Sequence, residues 1–386
     1  MTLEGLLQLA VLNGASDVHL KQNANPIFRI HGRLVPQTTL PLLTWEIFDD
    51  IVKELIGGRE TYLLEGREVE RAYTIPALGR FRASVFLSKA EVRAILRVVP
   101  ANIPSFEELG LPSALEKLST EKRGLILVTG VTGSGKSTTL AAMTDFMNRH
   151  RNDHVLTIED PIEFVHEDKG CIFTQRELGQ DSQSFSQALR SALRQDPDVI
   201  LVGEMRDYET ISTAITAAET GHLVLSTMHT VNAQETVNRI LAMFPPHQGD
   251  QIRLQLSGVL LGVISQRLLE RADGSGRVPA VELMLGTGLI RESIRDAAKT
   301  SSIPSVIAQG RTQYGMQTFD QSVLALYQAG LISYETALTG ASNPDDFALK
   351  ARGFLSTGDL RGASQLRDQS LAKDPKAPIA NSVLRR

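Results

Sequence analysis

The sequence holds a single cysteine, Cys171, among 386 residues, so neither an internal disulfide nor a four-thiolate zinc site can form, and a reducing compartment is the simplest setting. Aromatic residues make up only 5%, and the net charge is −4. The chain therefore lacks both the stacking platforms and the concentrated basic surface with which proteins grip nucleic acid, and no nucleic-acid partner is expected. Long apolar runs are missing too. The longest, 125–128 and 259–264, fall far short of the roughly 20 residues of a membrane span. No Lys or Arg precedes Lys21, and Leu3, Leu6, Leu7, Leu9 and Leu12 recur at helical spacing, unlike a secretion signal. Any membrane association is expected to be peripheral, on the cytoplasmic side.

What is present is ordinary globular material, 42% hydrophobic and 22% charged, long enough for two domains. An opening helix stops at Gly14, and 27–30 and 33–35 read as strands around the His31-Gly32 turn. Residues 44–65 read as helix. Phe81, Ala83 and Val85 alternate along 79–86, and 91–99 reads as a further strand. The first domain is thus α+β over 1–99, with 100–123 as linker and approach to the core. Over 124–353 short apolar strands (125–129, 155–158, 199–202, 223–227) alternate with helices (136–149, 184–195, 207–219, 232–242, 248–262), the pattern of a mostly parallel α/β sheet. The chain reads as helical past 320, and the polar 354–386 as a loosely ordered tail.

Gly130-Val131-Thr132-Gly133-Ser134-Gly135-Lys136-Ser137 fits G-x-x-x-x-G-K-[ST] between an apolar strand and a helix. Its glycines let amide protons close on phosphate oxygens, Lys136 reaches the β- and γ-phosphates, and Ser137 offers a hydroxyl to Mg²⁺. An incidental glycine-rich turn would not need that strand and helix. Gly130, Thr132, Gly133, Ser134, Gly135, Lys136, Ser137 and Thr138 are the expected nucleotide-binding residues. The strand 199–202 runs into Glu204, placed to hold Mg²⁺ through water. Glu159, Asp160 and Glu163 crowd the end of another strand, where either glutamate fits a general base and spacing does not choose. His222 and His229 bracket the strand at 223–225. His229 falls on the P-loop edge, and no third ligand at zinc spacing accompanies the pair.

In order along the chain, the P-loop, Ile158-Glu159-Asp160-Pro161-Ile162-Glu163, Leu201-Val202-Gly203-Glu204-Met205-Arg206-Asp207 and Thr220-Gly221-His222 with Thr227-Met228-His229-Thr230 resemble the Walker A, Asp, Walker B and His boxes of secretion ATPases. Gly14-Ala15-Ser16-Asp17-Val18-His19-Leu20 and Gly315-Met316-Gln317-Thr318-Phe319-Asp320 resemble signatures of the PilT/PilU pilus retraction ATPases, so that the likeness spans about 3–353. It implies a PAS-like N-terminal domain and a RecA-like P-loop domain, in a ring of six with ATP between domains, ATP and Mg²⁺ as cofactors, and pilus retraction as the work done. Partners implied are other copies of the chain, an inner-membrane platform protein of the PilC type, and a second retraction ATPase. The resemblance selects Glu163 as general base, assigns Glu204 to the magnesium-water shell and His229 to the phosphate side, and calls for arginines meeting the γ-phosphate. Arg194 and Arg206 are the choices here, among Arg80, Arg82, Arg93, Arg97 and Arg190. Where family members carry Arg-Gly after the Arg-Phe-Arg strand, this chain has Ser88-Lys89-Ala90. Leu289-Ile290-Arg291-Glu292-Ser293-Ile294-Arg295 resembles the segment used for pulling. An accessory ATPase of the PilU type and a non-hydrolysing ring scaffold are the alternatives. Extension and type II secretion ATPases usually carry a four-cysteine zinc insertion, which this chain cannot form.

Overall fold

The structure, a computed structural model, describes residues 1–351 except 31, 58–64, 67, 77, 100 and 101. The expected tail at 354–386 and the Pro100-Ala101 start of the linker lie outside the described residues. Those described form two compact units, one from the residues up to Asn102 together with Glu163–Val165, the other from Ile103–Ile162 and from His166 onward.

In the first unit, β1 (Ala15–Lys21), β2 (Ile27–Ile30), β3 (Arg33–Pro36), β4 (Val69–Ile75), β5 (Gly79–Ser88) and β6 (Glu91–Val98) form an antiparallel sheet in the order β3-β2-β1-β6-β5-β4. Helix Leu3–Leu12 buries Leu3, Leu6, Leu7 and Ala10, spaced along one helical face. Helix Trp45–Ile56 buries Phe48, Ile51, Val52, Leu55 and Ile56 into the same core as Phe28, Phe81 and Leu96. Of the helix expected over 44–65, Trp45–Ile56 is helical and is capped by Gly57 in the left-handed conformation at φ +56°, while 58–64 lie outside the described residues. Strands β1 and β4 carry no clean alternation of polarity and were not among the expected elements. In β1 the buried Asp17 accepts hydrogen bonds from Arg97 Nε (2.9 Å) and Ser16 Oγ (2.8 Å) and lies 3.5 Å from Arg29. Burial pushes that carboxyl up, but these hydrogen bonds and the two guanidinium charges outweigh it and hold it below the usual carboxylate range.

The second unit is built on β7 (Gly124–Thr129), β8 (His154–Glu159), β9 (Ile172–Glu177), β10 (Val199–Val202), β11 (Leu223–Met228), β12 (Leu260–Glu270) and β13 (Arg277–Leu285), ordered β13-β12-β7-β11-β10-β8-β9. All neighbours pair parallel except β12 with β13. Strands β7, β10 and β11 are buried along their whole length, as a sheet covered on both faces requires. The helix expected over 248–262 is corrected: it ends at Val259, and Leu260 begins β12. Pairing with β7 makes this segment a strand, and Gly262 lets it pack closely, since a Cβ there would lie 3.1 Å from Leu118 and 3.2 Å from the Met284 carbonyl. Likewise the helix expected over 184–195 runs only through Phe185–Ala192. Helices Phe319–Gln328, Tyr334–Gly340 and Pro344–Ala351 follow, with Phe319, Val323, Leu324 and Phe347 sharing a core with Leu269, Val278 and Ala280 of the β12–β13 hairpin.

Candidate functional site

Strands β7, β11, β10 and β8 lie side by side and parallel, so their carboxyl ends share one edge of the sheet. That edge receives the P-loop after β7, His229 after β11, Glu204 after β10 and the acidic segment after β8. In open α/β sheets ligands bind at this edge. His222 precedes β11 at the opposite edge, where its Nδ1 lies 3.0 Å from the Ala217 carbonyl and helps close the preceding helix.

The P-loop turns through Gly130, Gly133 and Gly135, with φ of +143°, +78° and +93°. A Cβ on Gly130 would come within 2.5 Å of both the Gln266 carbonyl and Ser134 Oγ, so only glycine fits. Helix Lys136–His150 begins on Gly135 with no side-chain cap and no acid in its first turn. Its leading amide protons, the positive end of the helix dipole, are thus left for an anion. The buried Lys136 Nζ donates to the carbonyls of Gly130 (2.9 Å) and Val131 (3.1 Å), which holds the ammonium inside the turn. Among the described residues the buried Ser134 hydroxyl oxygen has no hydrogen-bond partner. An uncapped helix start, a retained lysine and an orphaned hydroxyl fit a nucleoside triphosphate. Thr132 is exposed, and Ser137 and Thr138 are half-buried in the first turn. Behind the loop, Gln266 of β12 donates from Nε2 to Thr139 Oγ1 (2.8 Å), and Thr129 pairs with Ser265 (2.8 Å). These supports were not read from the sequence.

Glu204 sits at the centre of the edge. His229 Nε2 lies 3.3 Å from one of its carboxylate oxygens and Arg206 Nε 2.5 Å from the other. Its loop is tied to the neighbouring strands, since Thr227 Oγ1 donates to the Gly203 carbonyl (2.6 Å), Ser226 Oγ to that of Val202 (2.7 Å), and Gly203 N–H to that of Ile158 (2.8 Å). A carboxylate and a hydroxyl such as those of Glu204 and Ser137 are the kind of hard oxygen group that Mg²⁺ takes, directly or through water.

After β8, Glu159 Oε1 accepts from Thr157 Oγ1 (2.7 Å) and Gln175 Nε2 (3.2 Å). Glu163 is exposed, on an irregular segment that follows the cis Asp160–Pro161 bond. The segment's flanks are held within the second unit: Ile162 N–H donates to Glu177 (3.2 Å) and His166 N–H to Gln175 (2.9 Å). His166 stacks on Phe173 with ring centroids 4.5 Å apart, and its Nε2 lies 3.1 Å from Thr144 Oγ1. Burial drives its pKa down from 6.5 to about 4, with Lys169 adding to the fall and Asp145 opposing it. Asn148 then binds the Glu167 carbonyl (2.7 Å) and the amides of Lys169 (3.1 Å) and Cys171 (3.2 Å).

Among the arginines, Arg82 pairs with Glu70, Arg93 with Glu91, Arg97 with Asp17, Arg190 with Glu209 and Arg206 with Glu204. Arg194 is exposed just past helix Phe185–Ala192, and among the described residues its side chain has no partner. In helix Gly288–Arg295, Ile290 and Ile294 are buried while Leu289, Arg291 and Arg295 are exposed.

Residues 2–330 match the family described as Type II/IV secretion system protein. The chain is 44% identical over 348 residues to the type IV pilus retraction ATPase PilT of Pseudomonas aeruginosa, covering 90% of this chain and 100% of that protein. It is 40% identical over 349 residues to the same organism's type IV pilus ATPase PilU, covering 90% and 91%. A crystal structure of the pilus retraction motor PilT with bound ADP superposes with a TM-score of 0.82 at 44% identity, covering 90% of this chain and 98% of that one.

Proposed function

Because the chain belongs to the type II/IV secretion system protein family and, within it, to the PilT/PilU retraction ATPases, we propose that it is a motor that hydrolyses ATP to withdraw type IV pili. The observation that carries this reading is the uncapped helix beginning at Lys136, beside a Glu204–His229 pair on the same sheet edge. Amide protons of the glycine turn and the Lys136 ammonium take the triphosphate, with Thr132, Ser134 and Thr138 lining it. Ser137 and, through water, Glu204 hold Mg²⁺, which supplies charge neutralisation at the phosphates. Glu163 takes the proton of the attacking water. His229 monitors the γ-phosphate side, Arg194, exposed and without a partner among the described residues, reaches that phosphate, and Arg206 orients Glu204.

On this reading the first unit is PAS-like, the second RecA-like, and six copies make a ring working peripherally at the inner face of the cytoplasmic membrane. Its partners there are a platform protein of the PilC type and a second retraction ATPase. The 40% identity to PilU over 90% of the chain supports an accessory role as a second reading, which complementation of strains lacking each motor separates.

Turnover in wild type and Glu163→Gln tests the proposal. Loss of a general base lowers kcat by about 10²–10⁴-fold with nucleotide affinity retained. Equal, near-zero rates in both proteins would instead make the chain a nucleotide-binding scaffold.

A further inference from the structure

We propose that Gln175, on the sheet's edge strand β9, is a positioning residue that sets the segment carrying Glu163. The inference rests on Glu163 acting as general base and extends that reading to the group that aims it. One amide makes both contacts: its nitrogen donates to Glu159 Oε1 at 3.2 Å and its oxygen accepts from His166 N–H at 2.9 Å. The orientation of that amide follows from its partners, since an ionised carboxylate only accepts and a backbone N–H only donates. Residues 160–165 are thereby strung between two points fixed by one side chain. Ile162 N–H donates to Glu177, two positions along the strand, and the His166 ring stacks on Phe173, two positions back. Phe173, Gln175 and Glu177 share one face of β9 through the two-residue period of a strand, so a single row of side chains holds the segment on both sides of Glu163.

The consequence is catalytic. A base must sit within hydrogen-bond reach of the proton it takes, and misplacement by about 1 Å costs on the order of 10²-fold. Neither of these two Gln175 contacts involves an expected P-loop residue, so loosening them should alter the chemical step and spare nucleotide binding. Gln175 also distinguishes two neighbouring carboxylates: Glu159 accepts from Thr157 and Gln175, whereas Glu163 is solvent-exposed.

The test uses the full-length protein with Gln175→Leu and Gln175→Glu, reading kcat and KM for ATP, binding of a fluorescent ADP, and melting temperature. For Gln175→Leu we expect kcat to fall about tenfold or more, with KM and ADP affinity within about twofold of wild type. Gln175→Glu keeps the acceptor but sets a second carboxylate against Glu159. The pair then favours sharing a proton, which restores a donor, so its deficit relative to wild type should shrink as pH is lowered from 8 to 6. In a Glu163→Gln background, Gln175→Leu should lower the residual rate no further, because the base it aims is gone.

An unchanged kcat in Gln175→Leu overturns the proposal. So does a loss of the same size in the Glu163→Gln background, or a loss matched by weaker ADP binding and a lower melting temperature, since each marks a merely structural role. Wild-type turnover in Glu163→Gln alone overturns the general-base reading and this inference with it. An inactive Glu163→Gln beside a fully active Gln175→Leu removes only the inference.

Discussion

The two sheets of this molecule spend their polar residues differently. In the six-stranded antiparallel sheet, charged side chains neutralise one another within the fabric: Arg97 and Arg29 close on the buried Asp17, Arg82 on Glu70, and Arg93 on Glu91. In the seven-stranded sheet the central strands are buried along their whole length, and the charged groups gather where four parallel strands end. Antiparallel strands finish at alternating edges, so no edge collects successive loops. Parallel strands deliver every following loop to the same side, and a site can be assembled there from residues far apart in sequence.

Lys136→Ala breaks the comparison at its most exposed point. Its ammonium is the one charged group held inside the glycine turn, and removing such a donor to developing charge costs on the order of 10²–10³ in kcat. Steady-state ATP turnover with a nucleotide titration checks this, and unchanged values for both would remove the phosphate site from that edge. The first unit should be untouched, because its ion pairs are internal to it.

The same contrast governs what could be read in advance. The strand, glycine turn and helix around Lys136 are contiguous and each is marked by residue type, so their order was plain. β12 was not: Val259-Leu260-Leu261-Gly262-Val263-Ile264 is apolar throughout, and such a run suits a buried helix or a buried strand equally. Only pairing with β7 decides it, with a register shift between Leu260 and Gly262. β9 is an edge strand whose inward row is Phe173, Gln175 and Glu177, polar because it grips a loop, so hydrophobic alternation never signalled it. The sequence does not separate the candidate arginines, for a related reason. An arginine tied into an ion pair and an exposed one look alike in sequence, and it is the pairings among the described residues that leave Arg194 as the candidate without a partner there.

A smaller effect sharpens the comparison on the loop after β8. His166 stays neutral in the folded protein down to about pH 4, whereas the unfolded chain takes up its proton near 6.5. Between those values the unfolded state binds more protons, so stability falls as pH drops from 6.5 to 4 and is retained above 6.5. Thermal melts across pH 7 to 4.5 should therefore show a shallower acid slope in His166→Gln than in wild type. Parallel slopes would mean that His166 titrates as freely in the folded protein as in the unfolded chain.

The smallest effect lies in the antiparallel sheet, at the hairpin joining β5 to β6. Ser88 pairs with Glu91, which leaves a two-residue loop of Lys89 and Ala90 with φ of +55° and +60°. Both central positions are left-handed, the geometry that matches strand twist in tight hairpins and that glycine or asparagine normally fills. Alanine in that conformation crowds its Cβ against the following carbonyl, at a cost of about 1–2 kcal/mol, part of which glycine loses again through its freer unfolded chain. Ala90→Gly should accordingly stabilise the protein by about 0.5–1 kcal/mol, read as a rise in the denaturant midpoint at constant slope. The reverse shift would mean that the turn relaxes out of the left-handed region in solution, and that the register of β5 on β6 is set by the strands alone.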